Sequence, residues 1–134
     1  MSMVYVALAL LLTVTGISNK QESLEYDAAI AKAQKEKKPL MVLVGAQWCA
    51  SCQVLKRETI EPMNNSGELR DVVVSAVDKD LRPELAEQLM RGNTLPQVVV
   101  FTQDSNGWKR FSLTGMQSQS RIRELLQRVR PARN

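Results

Sequence analysis

Apolar and polar positions follow two rhythms along this chain, and the switches between them mark out its elements. Tyr26, Ala29, Ile30 and Ala33 recur at helical spacing inside the highly charged stretch from Lys20 to Lys38, with Ser23 placed as an N-cap. This predicts an amphipathic helix over 24–37, ended before Pro39 because a residue preceding proline is pushed out of helical geometry. Leu40 to Val44 is a short unbroken apolar run, the mark of a strand buried on both faces. A helical pattern resumes after Cys52 through Val54, Leu55 and Thr59, and Pro62 with Asn64 and Asn65 is expected to break it. One more turn is expected over 66–70. Val72 to Val77 reads as a second buried strand, and Pro83 in a first turn opens a helix over 84–91 with Leu85, Leu89 and Met90 inward. Gln97 to Phe101 is a third strand, Asp104 to Gly107 a hairpin turn, and Trp108 to Leu113 an alternating fourth strand. Ser118 caps a last helix whose Ile122, Leu125, Leu126 and Val129 form one apolar stripe.

The order is therefore helix, then β-α-β-α-β-β-α, with no repeat and no linker. Two strands joined through a helix should lie parallel with a right-handed crossover, whereas the last two form an antiparallel hairpin. A mixed four-stranded sheet with helices on both faces follows, a three-layer α/β fold.

Composition narrows the chemistry. The 134 residues suit one domain, and 44% hydrophobic with 24% charged residues is an ordinary globular balance. There is no histidine and there are only two cysteines, so Ser-His and Cys-His nucleophiles, His-ligated metals and a four-thiolate zinc site within one chain are excluded. No metal is expected. The formal net charge of +4 with 4% aromatics shows no base-stacking pattern, so nucleic acid is not an expected partner. Arg121, Arg123, Arg128, Arg130 and Arg133 read as a solvated face near a helix C-terminus. Met41 and Met90 read as core filler.

The first nineteen residues carry no charged side chain, and Val4 to Val14 is nearly all apolar before the small and polar run Thr15 to Asn19. A bilayer span needs about 20 apolar residues and a signal peptide's core about 7–15, so this run fits an export signal, cleaved or retained as an anchor. A buried first strand or helix is the competing reading. On the export reading, 1–19 is the signal or anchor, 20–134 is the folded domain, and the compartment is periplasmic or extracellular and oxidising.

Both cysteines fall in Trp48-Cys49-Ala50-Ser51-Cys52, where a buried strand passes into a helix. Cys49 at the helix start faces unpaired backbone N–H groups and the positive end of the macrodipole, which stabilise a thiolate. Cys52 lies one turn on, within reach of a mixed disulfide on Cys49. Cys49 is thus the expected nucleophile and Cys52 the resolving thiol, and their disulfide is the redox group with no other cofactor. A purely structural disulfide at this spacing would close a very small loop and stabilise little. Half of an intermolecular zinc site would find no supporting ligand elsewhere in the chain.

The element order and this motif together resemble the thioredoxin superfamily over about residues 39–129. A second marker is Thr94-Leu95-Pro96 just before the third strand, where thioredoxin-like proteins carry a cis-proline facing the dithiol. The resemblance implies that Pro96 is cis and that Leu95, with Thr94 beside it, offers backbone to an extended substrate segment. It also implies supporting roles for Trp48, Ala50 and Ser51. More narrowly, the stretch from Lys37 to Cys52 followed by Lys56-Arg57-Glu58-Thr59 is similar to exported thioredoxin-like domains, the C-terminal domain of DsbD-type transmembrane reductases among them.

What this resemblance implies is an extracytoplasmic, monomeric protein-disulfide reductase that relays electrons to partner disulfides, supplied by a membrane electron donor if the N-terminal segment is retained. The alternative is a thioredoxin-fold binding or assembly module whose CxxC is not essential. Three departures bear on mechanism. Leu43 stands where thioredoxins have a buried Asp, leaving water or Glu58 to take the proton of Cys52. Gly45 stands where a Trp is usual. Ala50-Ser51 is neither the Gly-Pro of thioredoxin nor the Pro-His of the oxidising DsbA type, so redox direction is not set by the dipeptide.

Overall fold

The computed structural model describes residues 24–130. The expected signal or anchor, the cap at Ser23 and Arg133 lie outside them. The elements are α1 (Tyr26–Glu36), β1 (Leu40–Gly45), α2 (Ala50–Val54), a π-helical segment (Leu55–Ile60), α3 (Glu61–Asn65), β2 (Val73–Asp78), α4 (Pro83–Leu89), β3 (Gln97–Asp104), β4 (Gly107–Thr114) and α5 (Gln119–Val129). The sheet order is β2-β1-β3-β4, with β1 parallel to β2 and antiparallel to β3, and β3 antiparallel to β4. This is the expected thioredoxin-like mixed sheet with helices on both faces.

Alternation along the central strands divides the core in two. Met41, Val74, Val98 and Val100 meet Leu55, Met63, Ile122 and Leu126 on one face. Leu40, Val42, Val44 and Val99 meet Ala29, Ala33, Ala86 and Leu89 on the other. Strands buried on both sides need apolar residues at successive positions, which is why β1 carries no alternation. The small alanines of α1 and α4 let those helices lie close to the sheet.

Boundaries differ from the sequence reading where hydrogen bonding overrides the pattern. α1 starts at Tyr26 because Glu25 is the N-cap, its carboxylate accepting from Asp27 N–H, and Leu24 instead bridges in parallel to Ser75. The helix ends at Lys37, which takes a left-handed conformation with φ of 54° while its N–H bonds Ala33 O. α4 stops at Leu89, two residues short of the expected Arg91. β3 runs on to Asp104, paired with Gly107, so Ser105 and Asn106 make the turn.

The larger correction concerns Pro62, which does not break the second helix. Helical backbone runs from Ala50 to Asn65, and its middle widens into π-turns, with Glu61 N–H reaching back five residues to Lys56 O. Proline has no N–H to offer Glu58 O four residues earlier. That carbonyl accepts instead from Gln119 Nε2 of α5 at 3.3 Å. A neighbouring helix thus supplies the donor that proline removed.

Candidate active site

The dithiol sits at the junction of β1 and α2. Cys49 is the N-cap of α2, in extended geometry, and its sulfur accepts from Cys52 N–H at 3.2 Å. The Ser51 hydroxyl lies 3.4 Å from the same sulfur. These donors favour a thiolate on Cys49. Cys49 and Cys52 are joined as a disulfide with Cα atoms 5.3 Å apart, which leaves no free cysteine among the described residues.

Two loops lie near the pair, one through Trp48 beside Cys49 in sequence and one through Pro96, which lines the same cavity as Cys52. Trp48 is 68% exposed, and its indole N–H donates to Asp80 at 2.6 Å. Asp80 is held in turn, because Asp78 Oδ1 accepts from Asp80 N–H at 2.8 Å and from Leu81 N–H at 3.3 Å. Lys79 N–H bonds Gly45 O at 2.8 Å, tying this turn to the end of β1. The Leu95–Pro96 peptide bond is cis, and Pro96 is buried and borders the same cavity as Cys52, with its carbonyl accepting from Gly115 N–H. Leu95 leans on the α1/α4 core, and Thr94 is exposed.

Gln97 sets the position of this second loop. The side chain is fully buried at the start of β3. Its Oε1 accepts from Arg91 N–H at 2.9 Å, while Nε2 donates to Arg91 O at 2.8 Å and Thr94 O at 3.1 Å. One amide thus closes the loop that delivers Thr94, Leu95 and Pro96. The sequence reading took Gln97 only as the first strand residue, although a polar side chain opening a VVV run was a signal of a buried, bonded amide.

A cavity of about 230 Å³ opens beside Cys52, floored by Leu43 and Ala76 and bordered by Gly45, Lys56, Asp78 and Pro96. A Cβ at Gly45 would lie 3.1 Å from Cys52 Sγ and 3.2 Å from Cys52 Cβ, so a larger residue there would push Cys52 aside by a few tenths of an ångström. Leu43 therefore borders the cavity with an apolar side chain where an acid would sit. Glu58, expected as a proton acceptor for Cys52, does not reach it. Six residues on in a helix points away from Cys52, and Glu58 is an exposed partner of Arg57 at 3.4 Å. The charged groups that do border this cavity are Lys56, one full turn after Cys52, and Asp78. Lys56 was legible from its i+4 spacing, whereas Asp78 arrives only through strand pairing with Gly45.

Comparison with known proteins agrees with this geometry. A family model described as thioredoxin-like matches residues 20–103, and the chain belongs to that family. Among solved structures, a thioredoxin from Thermus thermophilus superposes with a TM-score of 0.70 at 24% identity, covering 82% of this chain and 87% of that one. Chloroplastic thioredoxin z gives 0.65 at 24% identity over 81% and 92%. A Trichomonas vaginalis thioredoxin gives 0.63 at 19% identity over 81% and 95%. These likenesses establish the fold. No curated protein matches in sequence.

Proposed function

We propose that this protein is an extracytoplasmic thiol-disulfide oxidoreductase that reduces, or relays electrons to, disulfides of partner proteins. The observation that carries the reading is the Cys49 sulfur at an N-cap, accepting the Cys52 N–H, in a thioredoxin-like fold. In the forward reaction the Cys49 thiolate attacks a partner disulfide, forming a Cys49–partner bond and expelling one partner sulfur as thiolate. Cys52, once deprotonated, attacks Cys49 Sγ and expels the second partner sulfur. The Cys49–Cys52 disulfide closes, and the partner gains two electrons.

The exposed Trp48, held by Asp80, and the loop held by Gln97, whose Pro96 shares a cavity with Cys52, supply the surface for an extended segment of the partner. The direction we favour is reductive, in the manner of the DsbD-type C-terminal domains that the stretch around the motif resembles. Export rests on the apolar run Val4 to Val14 and on the similarity of the stretch around the motif to exported thioredoxin-like domains. No helix among the described residues is long and apolar enough to cross a membrane, so tethering would fall to that run.

Insulin reduction tests the activity. Cys49→Ser should abolish turnover and Cys52→Ser should accumulate mixed disulfides on Cys49. Full turnover by the double Cys49→Ser, Cys52→Ser protein would refute the reading. Sequencing the N-terminus of the protein recovered from cells tests export, with processing or membrane recovery expected and a soluble, unprocessed cytoplasmic chain the contrary result.

A further inference from the structure

The two halves of the site stand on different elements, and one buried hydroxyl begins a link between them. Cys49 caps α2 and Cys52 lies within it, whereas Pro96 precedes β3, yet Cys52 and Pro96 line one cavity. Their separation depends on what ties the helix to the loop. Thr59 lies two turns after Cys52 in the same helical run and is 4% exposed, and the reaction above gives it no role. A threonine inside a helix commonly turns its hydroxyl to the carbonyl four residues back. Thr59 instead donates to Gln117 O at 2.8 Å, on the turn between β4 and α5.

From Gln117 the bonds continue to the proline. Gln117 Nε2 donates to Thr114 O at 3.1 Å and to Gly115 O at 3.3 Å, closing that turn on itself. Gly115 N–H then donates to Pro96 O at 2.8 Å. A second tie runs beside the first, from Gln119 Nε2 to Glu58 O at 3.3 Å. The helix that carries the dithiol is thus bonded to the turn after β4, and that turn to the carbonyl of the cis-proline. Both ties leave the helix within its π-helical segment, Leu55–Ile60, and interruptions of this kind recur at functional sites.

We propose that Thr59 is a positioning residue. Through Gln117 and Gly115 it sets where Pro96 stands relative to Cys49 and Cys52, and so governs binding of the partner's extended segment rather than the chemistry of the sulfurs. The proposal rests on the oxidoreductase reading and names what holds its two parts in register. The groups that favour a Cys49 thiolate, Cys52 N–H and the Ser51 hydroxyl, lie within the first turn of α2 and outside this path. Partner binding and sulfur reactivity therefore separate.

The test compares Thr59→Val, which keeps the branched shape and loses the donor, with Thr59→Ser, which keeps the donor. With full-length protein and insulin, KM should rise about fivefold in Thr59→Val at little-changed kcat, the scale of change that substitutions along a coupling path produce. Thr59→Ser should restore KM, and alkylation of reduced Cys49 by iodoacetamide should be the same in both. Gln117→Met alters the path at a half-buried side chain and should raise KM in the same sense. Ser75→Ala is the control, because it also removes a buried hydroxyl that bonds a backbone carbonyl, Leu24 O at 2.8 Å, but on β2. Its KM should hold. An unchanged KM in Thr59→Val, an equal rise in Ser75→Ala, no rescue by Thr59→Ser, or a parallel loss of Cys49 alkylation overturns the proposal. Exchange of the Gly115 amide proton, followed by NMR, reads the path without turnover. Faster exchange in Thr59→Val is expected, and an unchanged rate overturns the proposal. Absence of insulin reduction by the unaltered protein would instead overturn the oxidoreductase reading, with the amide exchange still deciding this one.

Discussion

Replacing Gln97 by methionine keeps the volume and apolar body of the side chain and removes only its amide. Three hydrogen bonds go with it, those to Arg91 N–H, Arg91 O and Thr94 O. Each backbone group left unsatisfied in a buried setting costs about 1–3 kcal/mol, and because these lie near the surface the lower figure applies, about 3 kcal/mol in all. For a domain near one hundred residues this corresponds to a fall in Tm of roughly 10–15 °C. Urea unfolding followed by tryptophan fluorescence should report the loss as a lower midpoint at unchanged slope. The loop carrying Thr94, Leu95 and Pro96 also loses its inner tie. Turnover with a protein disulfide should therefore fall several-fold at temperatures where the variant is folded, while alkylation of reduced Cys49 by a small reagent holds. A loss within the ~0.5 kcal/mol typical of surface substitutions would refute the role given to this amide.

Two further outcomes follow from the same geometry. Asp80→Ala removes the acceptor of the Trp48 indole N–H, and because the ring is exposed the expected stability change is under about 1 kcal/mol. The informative readouts are Trp48 fluorescence, expected to broaden and shift, and KM for protein substrates, expected to rise; an unchanged spectrum would count against the tie. Asp104, hydrogen-bonded by Lys109 and by Asn106 N–H, has its carboxyl held below its ordinary value of 3.8. A folded-state value below the unfolded one means that its contribution to hairpin stability is present above the unfolded value and lost as pH falls through the folded one. NMR titration of the side chain should give a midpoint below 3.8, and a midpoint above it would contradict the pairing.

The fold was legible because its strands and helices carry clean periods. The short VVV and LMVLV runs read as two-sided strands and form them, and the stripe of α5 emerges in the structure with all four expected residues buried. Pro62 misled because the donor that replaces its missing N–H lies on Gln119, far along the chain. The dithiol was equally legible, since spacing within one turn is local information. Asp78 and Asp80 were not, and Gln97 signalled a buried amide without its partners. Each acts through partners brought close by strand pairing or loop closure, and residue type alone does not encode those partners. Glu58 failed for a simpler reason, as its helical phase relative to Cys52 points it to solvent beside Arg57.

The central claim is that Cys49 and Cys52 form an exchangeable redox couple. Equilibrating the protein with glutathione buffers, or with a dithiol where glutathione is too weak, and counting the fraction reduced gives its potential. A reversible two-electron transition near thioredoxin's roughly −270 mV is the result this account predicts. A transition near DsbA's roughly −120 mV would reverse the reductive direction, and a disulfide more negative than about −300 mV, in the range of structural bridges, would contradict the redox role itself.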